Sequence, residues 1–326
     1  HMANDSNLFR VADELTEEGW VLNGNVFERN DEKMLPLYEA KMYGLFDADF
    51  QTFEGVPAER LFSMKAGVYE TNHYNDERAL PRYWVSAGHV SERLSRWGHP
   101  AVLLSWRKVT NATTNDRTCK ASLIPAYGAG DSCLLAFPRR GVKDAVLLQG
   151  VWCSFAFDFI TRQKVSAMNF NFFTMEQLPV PTPSRMGDPS PWDAGTALQE
   201  WIAARSAALS SHSDAVAVAL GYSQPLRWRE ECREIWRTEL DAAMFHVYGY
   251  SRDDVLYSME SFAIVAKNDR RMEGLRYDDL NWRTKRLILG KYDELAHHSG
   301  AGRPYVSPAP PPPLPNGLRL SADDAT

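Results

Sequence analysis

Two runs of this chain gather side chains of the kind that read nucleic-acid bases. The first, TNHYNDERALPRYWV from Thr71 to Val85, brings Asn72, His73, Tyr74, Asn75, Arg78 and Arg82 close together just before an apolar stretch. The second, SWRKVTNATTNDRTC from Ser105 to Cys119, repeats the theme with Arg107, Lys108, Asn111, Asn115 and Arg117. An Asn amide matches adenine N6 and N7, and an Arg fork matches guanine O6 and N7. Each good bidentate pair contributes about 1–3 kcal/mol of discrimination. The same residue types also build turns, because Asn and Asp side chains bond the backbone two residues on. Taken alone, the second run reads better as a polar hairpin loop than as a base-reading one.

No constellation for catalysis accompanies these runs. Gly128-Ala129-Gly130 is too short for a dinucleotide loop and reads as a turn between strands. No phosphate-binding loop, HExxH, GxSxG or zinc-deaminase pattern occurs. The four cysteines, Cys119, Cys133, Cys153 and Cys232, lack CxxC pairing and read as buried thiols. His297-His298 reads as a surface pair at a helix C-terminus, favoured there by the helix dipole. The expectation is no catalytic residue and no metal site. An independent enzyme would require Cys119 or Cys153 to meet a histidine in space.

The formal net charge of −6 argues against nucleic acid only if charge is spread evenly. It is not. Residues 78–120 hold eight Lys and Arg against Glu92 and Asp116, while residues 1–60 carry an acidic excess. A second basic excess runs from Lys267 to Lys291, so a cationic surface fits on an acidic protein.

The elements that must position these residues change in texture along the chain. From Leu35 to about Pro181, short apolar runs such as RYWVSA, AVLLSWRKV and CLLAF read as strands. One exception is a long, mostly apolar helix from Asp144 to Gln163. The proline-rich LPVPTPSR, ending at Arg185, marks a boundary. Beyond it, helical periodicity predicts helices around Leu198–Leu209, Trp228–Val247, Asp253–Val265 and Ile288–Leu295. From Ser299, APPPPLP and a polar end read as a linker or disordered tail. No run is long and apolar enough to span a bilayer and no signal peptide is evident, which predicts a cytoplasmic protein without membrane contact. His1-Met2 read as a cloning remnant, and the start suggests a fragment of something longer.

Several segments, in this order, resemble the C-terminal part of Eco57I-like adenine-specific DNA methyltransferases. LPLYEAKMYGLFD (Leu35 to Asp47) is similar to that family's LPLYEGKMI-type opening, with Ala40 where the family often has Gly. RYWV (Arg82 to Val85) and WRKVTNATTNDRT resemble its next landmarks. SFAFDFITRQKVSAMNFNFFTMEQLPVP (Ser154 to Pro181) and WRTKRLILGKYDEL (Trp282 to Leu295) resemble its later ones. The closing segment is also similar, more distantly, to the end of type I specificity-subunit recognition domains.

The resemblance implies a bacterial restriction-modification or related phage-defence protein. Its DNA target-recognition domain is held by helices, while a separate domain binds S-adenosylmethionine and the flipped adenine. Neither an NPPY-like motif nor a glycine-rich cofactor loop occurs, so the family's chemistry transfers to no residue here. The expectation is an α+β fold with a mixed α/β target-recognition domain over residues 33–185, a helical domain over 187–298 and a disordered proline-rich tail over 299–326. The chain is expected to be a non-catalytic, sequence-specific recognition module for double-stranded DNA. It would need no cofactor of its own and would partner its own catalytic domain and other defence subunits. Asn72, His73, Asn75, Arg78, Arg82, Arg107, Lys108, Asn111, Asn115 and Arg117 would face the major groove. Arg139, Arg140, Arg162 and Lys164 would reach phosphates, although Arg162 and Lys164 could instead cap a helix C-terminus. The alternative is a protein-interaction module that docks another defence subunit through tryptophan-rich helices.

Overall fold

The computed structural model describes residues 4–63, 67–75, 77–165 and 168–319. His1-Met2 and the last seven residues of the tail lie outside the described residues. Helices and antiparallel sheets both occur, so the fold is α+β. The chain forms two compact units and passes between them repeatedly. One unit takes His1–Lys108, Ala121–Ala145 and Ser210–Trp228, and the other takes Val109–Lys120, Val146–Leu209 and Arg229–Thr326.

The boundary expected at 185–187 therefore falls inside the second unit. The prolines there begin elements instead of separating domains. Thr182 caps the short helix Pro183–Gly187, whose proline sits at the first turn, and Met186 is buried. Pro189–Ser190 then pairs with Asp193–Ala197, burying Trp192.

In the first unit, strands β1 (Val21–Asn23), β2 (Val26–Arg29) and β3 (Glu32–Tyr38) form an antiparallel meander. Its two-residue loops, Gly24-Asn25 and Asn30-Asp31, open on positive φ values of 61° and 54°, which Gly and Asn tolerate best. Phe27 and Met34 pair across the sheet and pack on Leu15, Trp20 and Trp84. The core thus begins well before residue 33. Beyond β3 lie the short ladder of β4 (Gln51–Thr52) with β5 (Tyr69–Glu70), and strand β6 (Trp84–Ser86), which pairs with β3.

A second sheet places β7 (Val102–Arg107) between β8 (Ala121–Pro125) and, after the short β9 (Gly128–Ala129), β10 (Cys133–Ala136). The turn expected at Gly128-Ala129-Gly130 is corrected: Gly128–Ala129 form β9, which runs parallel to Leu37–Tyr38 of β3. The approach is close. A Cβ at Gly128 would lie 2.7 Å from Val85 Cγ2, which excludes a side chain without repacking. Helix Asp214–Leu220 packs on β8 and β7 through buried Val216, Ala217 and Leu220, which is why residues 210–228 belong to this unit.

The single helix expected over 144–163 is broken into Val142–Trp152 and Phe155–Lys164, bent by 75°, with residues from Val146 onward in the second unit. Ser154 causes the restart. Its hydroxyl caps Phe157 N–H, and Asp241 accepts the Phe155 N–H at 2.8 Å. Helix Glu230–Val247 packs on Arg283–Ala301 and on Phe155–Lys164. The helix expected near 253–265 is two, Arg252–Glu260 and Ala263–Glu273. Among the described residues no single helix is long and apolar enough to cross a membrane.

The tail, expected to be disordered from Ser299, instead continues a helix to Ala301 and then lies on this unit as extended chain. Tyr305 donates its N–H to Trp192 O at 2.7 Å and its hydroxyl to Glu239 at 2.7 Å. Ser307 donates to the same carboxylate at 2.6 Å, and Trp236 Nε1 donates to Ala309 O at 2.7 Å. Proline content does not prevent docking where a buried acceptor and an indole supply partners.

Candidate functional site

The residues expected to read bases divide sharply by environment. Asn72, Tyr74 and Asn75 are exposed on a 3-10 turn that begins at His73. Asn72 Oδ1 accepts the Tyr74 N–H at 3.1 Å, and Asn72 O accepts the Asn75 N–H at 3.0 Å, so the turn is self-bonded. His73 itself points inward, with only 11% of its side chain exposed. That corrects its assignment as a base reader.

Three arginines of the set are committed to the fold. Arg82 forks onto Glu39 at 2.7 and 2.6 Å and donates to Leu61 O. Arg107 donates to Tyr43 O at 3.0 Å. Arg117 is buried and pairs with Asp158 at 3.0 Å, its guanidinium 3.9 Å from the Phe155 ring centroid. None of these forks is presented for a guanine edge, because each guanidinium already spends its donors on protein acceptors.

The remaining residues are intermediate cases. Arg78 is half-buried and pairs with Asp214, and Lys108 approaches Asp131 at 3.5 Å. Asn111 Oδ1 accepts from Thr113 N and Thr114 N at 2.9 and 3.2 Å, and Asn115 donates to Thr110 Oγ1 at 3.2 Å. Those two amides make the turn, as the alternative reading of that loop has it. Among the phosphate candidates, Arg139 and Lys164 are exposed. Arg140 pairs with Asp144 at 2.8 Å. Arg162 donates to Ser261 O at 2.9 Å and lies 3.8 Å from the Phe262 ring centroid, so it secures a helix terminus instead of reaching outward.

The inward turn of His73 reveals a cluster that sequence spacing did not indicate. Asp47 ends a tight turn in which Gly44 N–H bonds Asp47 O at 2.8 Å and Phe46 takes a φ of 57°. Its carboxylate meets His73 Nε2 through Oδ2 and His212 Nε2 through Oδ1, both at 2.9 Å. Asp49 N–H adds a bond to Oδ1 at 3.0 Å. Trp228 stacks on His73 with centroids 4.0 Å apart and meets His212 edge-on at 4.9 Å. All four residues belong to the first unit.

Burial opposes ionisation of Asp47, yet the charge and hydrogen bonds of His212 and then His73 outweigh it and hold the carboxyl far below its usual range. Asp49 is buried as well, and its Oδ2 and the Tyr38 hydroxyl are buried without hydrogen-bond partners among the described residues. Thiol chemistry finds no such activation. Burial pushes the Cys119 thiol well up and the Cys133 thiol up to about 12, the opposite of what a nucleophile needs.

No family model, curated protein or solved structure matches the chain.

Proposed function

We propose that the chain is the sequence-specific DNA-recognition module of a bacterial DNA N6-adenine methyltransferase in phage defence, non-catalytic by itself. The observation that carries this reading is the Asn72–Asn75 turn. It leaves Asn72, Tyr74 and Asn75 exposed, with Asn72 Oδ1 already accepting the Tyr74 N–H and the Asn75 amide on the outer side, while His73 pins the inner side to Asp47. A rigid turn presenting adenine-matching amides loses little entropy on docking into a groove. The ordered resemblance over residues 35–295 supplies the methyltransferase context. S-adenosylmethionine and the catalytic residues would belong to another domain, and exposed Arg139 and Lys164 are the side chains available to phosphates.

The test is selection of a random duplex library on the purified chain, followed by sequencing. The expected result is enrichment of one motif that contains adenine, with Asn72→Ala and Asn75→Ala relaxing preference at single positions while melting temperature holds. Absence of enrichment, or a motif unchanged in both folded variants, overturns the reading.

A second reading, a docking module for another defence subunit, is favoured by Met272, Tyr277 and Leu280. They are 77%, 86% and 65% exposed, at the end of helix Ala263–Glu273 and on the connection that follows it in the second unit. It becomes the better account if the selection fails.

A further inference from the structure

We propose that Asp47, His73 and His212 hold a divalent metal ion of the zinc class, clipping the Asn72–Asn75 turn and the 210–228 segment onto the turn that ends at Asp47. One ligand atom from each residue lies within 4.8 Å of the other two. A tetrahedral ion with bonds of about 2.0–2.2 Å sets its donors roughly 3.3 Å apart. The two imidazole Nε2 atoms each lie 2.9 Å from a carboxylate oxygen, one on Oδ2 and one on Oδ1, so those contacts would open by a few tenths of an ångström while the widest separations in the set, up to 4.8 Å, would draw in.

Charge makes the same demand. Asp47 is buried at 4% exposure, and a buried carboxylate needs a countercharge or it costs several kcal/mol. A divalent ion ligated by Asp47 supplies that countercharge. Asp49, whose N–H bonds Asp47 Oδ1, keeps its own Oδ2 buried without a hydrogen-bond partner among the described residues. Trp228 covers both rings and supplies the apolar shell that excludes water from a structural metal centre. Two imidazoles and one carboxylate suit zinc, cobalt or nickel and disfavour magnesium and calcium, which take oxygen ligands.

The experiment uses the full chain, stripped with chelator, redialysed and titrated with Co2+. The expected result is visible d–d absorption that saturates at one equivalent, is displaced by Zn2+ and is unaffected by Mg2+. His212→Ala and Asp47→Asn should each weaken cobalt binding by more than the roughly 10–100-fold that losing an outer-sphere partner costs. Because those changes also remove bonds from a buried carboxylate, a His73→Gln, His212→Gln double variant keeps amide partners for Asp47 while deleting both imidazoles. It should fold and show no cobalt absorption. Failure of the folded wild-type chain to bind Co2+ or Zn2+ at one equivalent overturns the proposal, as does stoichiometric binding retained by the double variant. Neither outcome depends on DNA recognition, which the duplex selection tests separately.

Discussion

Arg117 and Asp158, 41 residues apart in the chain, form a 3.0 Å ion pair from which solvent is almost wholly excluded. The carboxylate also accepts the Thr118 N–H at 2.9 Å and the Cys119 N–H at 2.8 Å, so it fastens the end of the asparagine-rich loop to helix Phe155–Lys164. Removing Arg117 leaves the buried carboxylate with the more distant Arg162 Nη2, at 3.7 Å, as its countercharge in a medium that solvates it poorly. Arg117→Ala is expected to cost about 3–5 kcal/mol of stability. Urea unfolding of the variant checks this, and a loss below 1 kcal/mol would show the pair to be dispensable. Any loss of DNA binding in this variant should follow the unfolded fraction.

The docked tail supplies a second expectation. Glu239 is fully buried and is satisfied by Arg205 at 2.6 Å, by the Tyr305 hydroxyl and by Ser307. Tyr305→Phe keeps the ring and deletes one donor to a charged acceptor, so it should lower stability by about 1–3 kcal/mol. Limited proteolysis should also cut the variant faster beyond Arg303, whereas the wild-type chain resists there. Equal cleavage rates in the two proteins would mean that the hydroxyl does not hold the tail.

Local periodicity carried much of the fold. The apolar spacing of Trp236, Leu240, Ala243 and Met244 predicts the helix that forms, because burial of one helical face repeats every few residues. What periodicity does not encode is partnership. Asp144–Gln163 keeps its apolar pattern through Cys153-Ser154, and only the Ser154 cap and Asp241, 86 residues from the Phe155 N–H it accepts, turn one helix into two. Likewise His73 stood out by type, but Asp47 lies 26 residues before it and His212 lies 165 residues after Asp47. No ligand spacing exists at such distances until residues 210–228 return to the first unit. Arg82 and Glu39 show the same limit. An arginine that forks onto a carboxylate 43 residues away looks, in sequence, like one free to meet a base.

The last prediction concerns pH and Asp241. Burial pushes its carboxyl up to about 6, against the opposing pull of the Arg117 charge and the Phe155 N–H bond. An unfolded aspartate titrates near the ordinary value of about 3.9. Between these two values the native protein holds a proton that the unfolded chain has released. This group's contribution to stability is therefore fully present below about pH 4, declines as pH rises, and is gone above about pH 6. A shift of about two units corresponds to a loss on the order of 3 kcal/mol across that window. Asp241→Asn keeps an oxygen to accept the Phe155 N–H and cannot ionise, so it should remove this slope. Measured by urea unfolding at pH 4, 5, 6 and 7.5, the stability of the variant relative to wild type should rise by roughly that amount from the lowest pH to the highest, then level off. A difference between the two proteins that stays constant over the whole range would mean that Asp241 is ionised in the native state throughout.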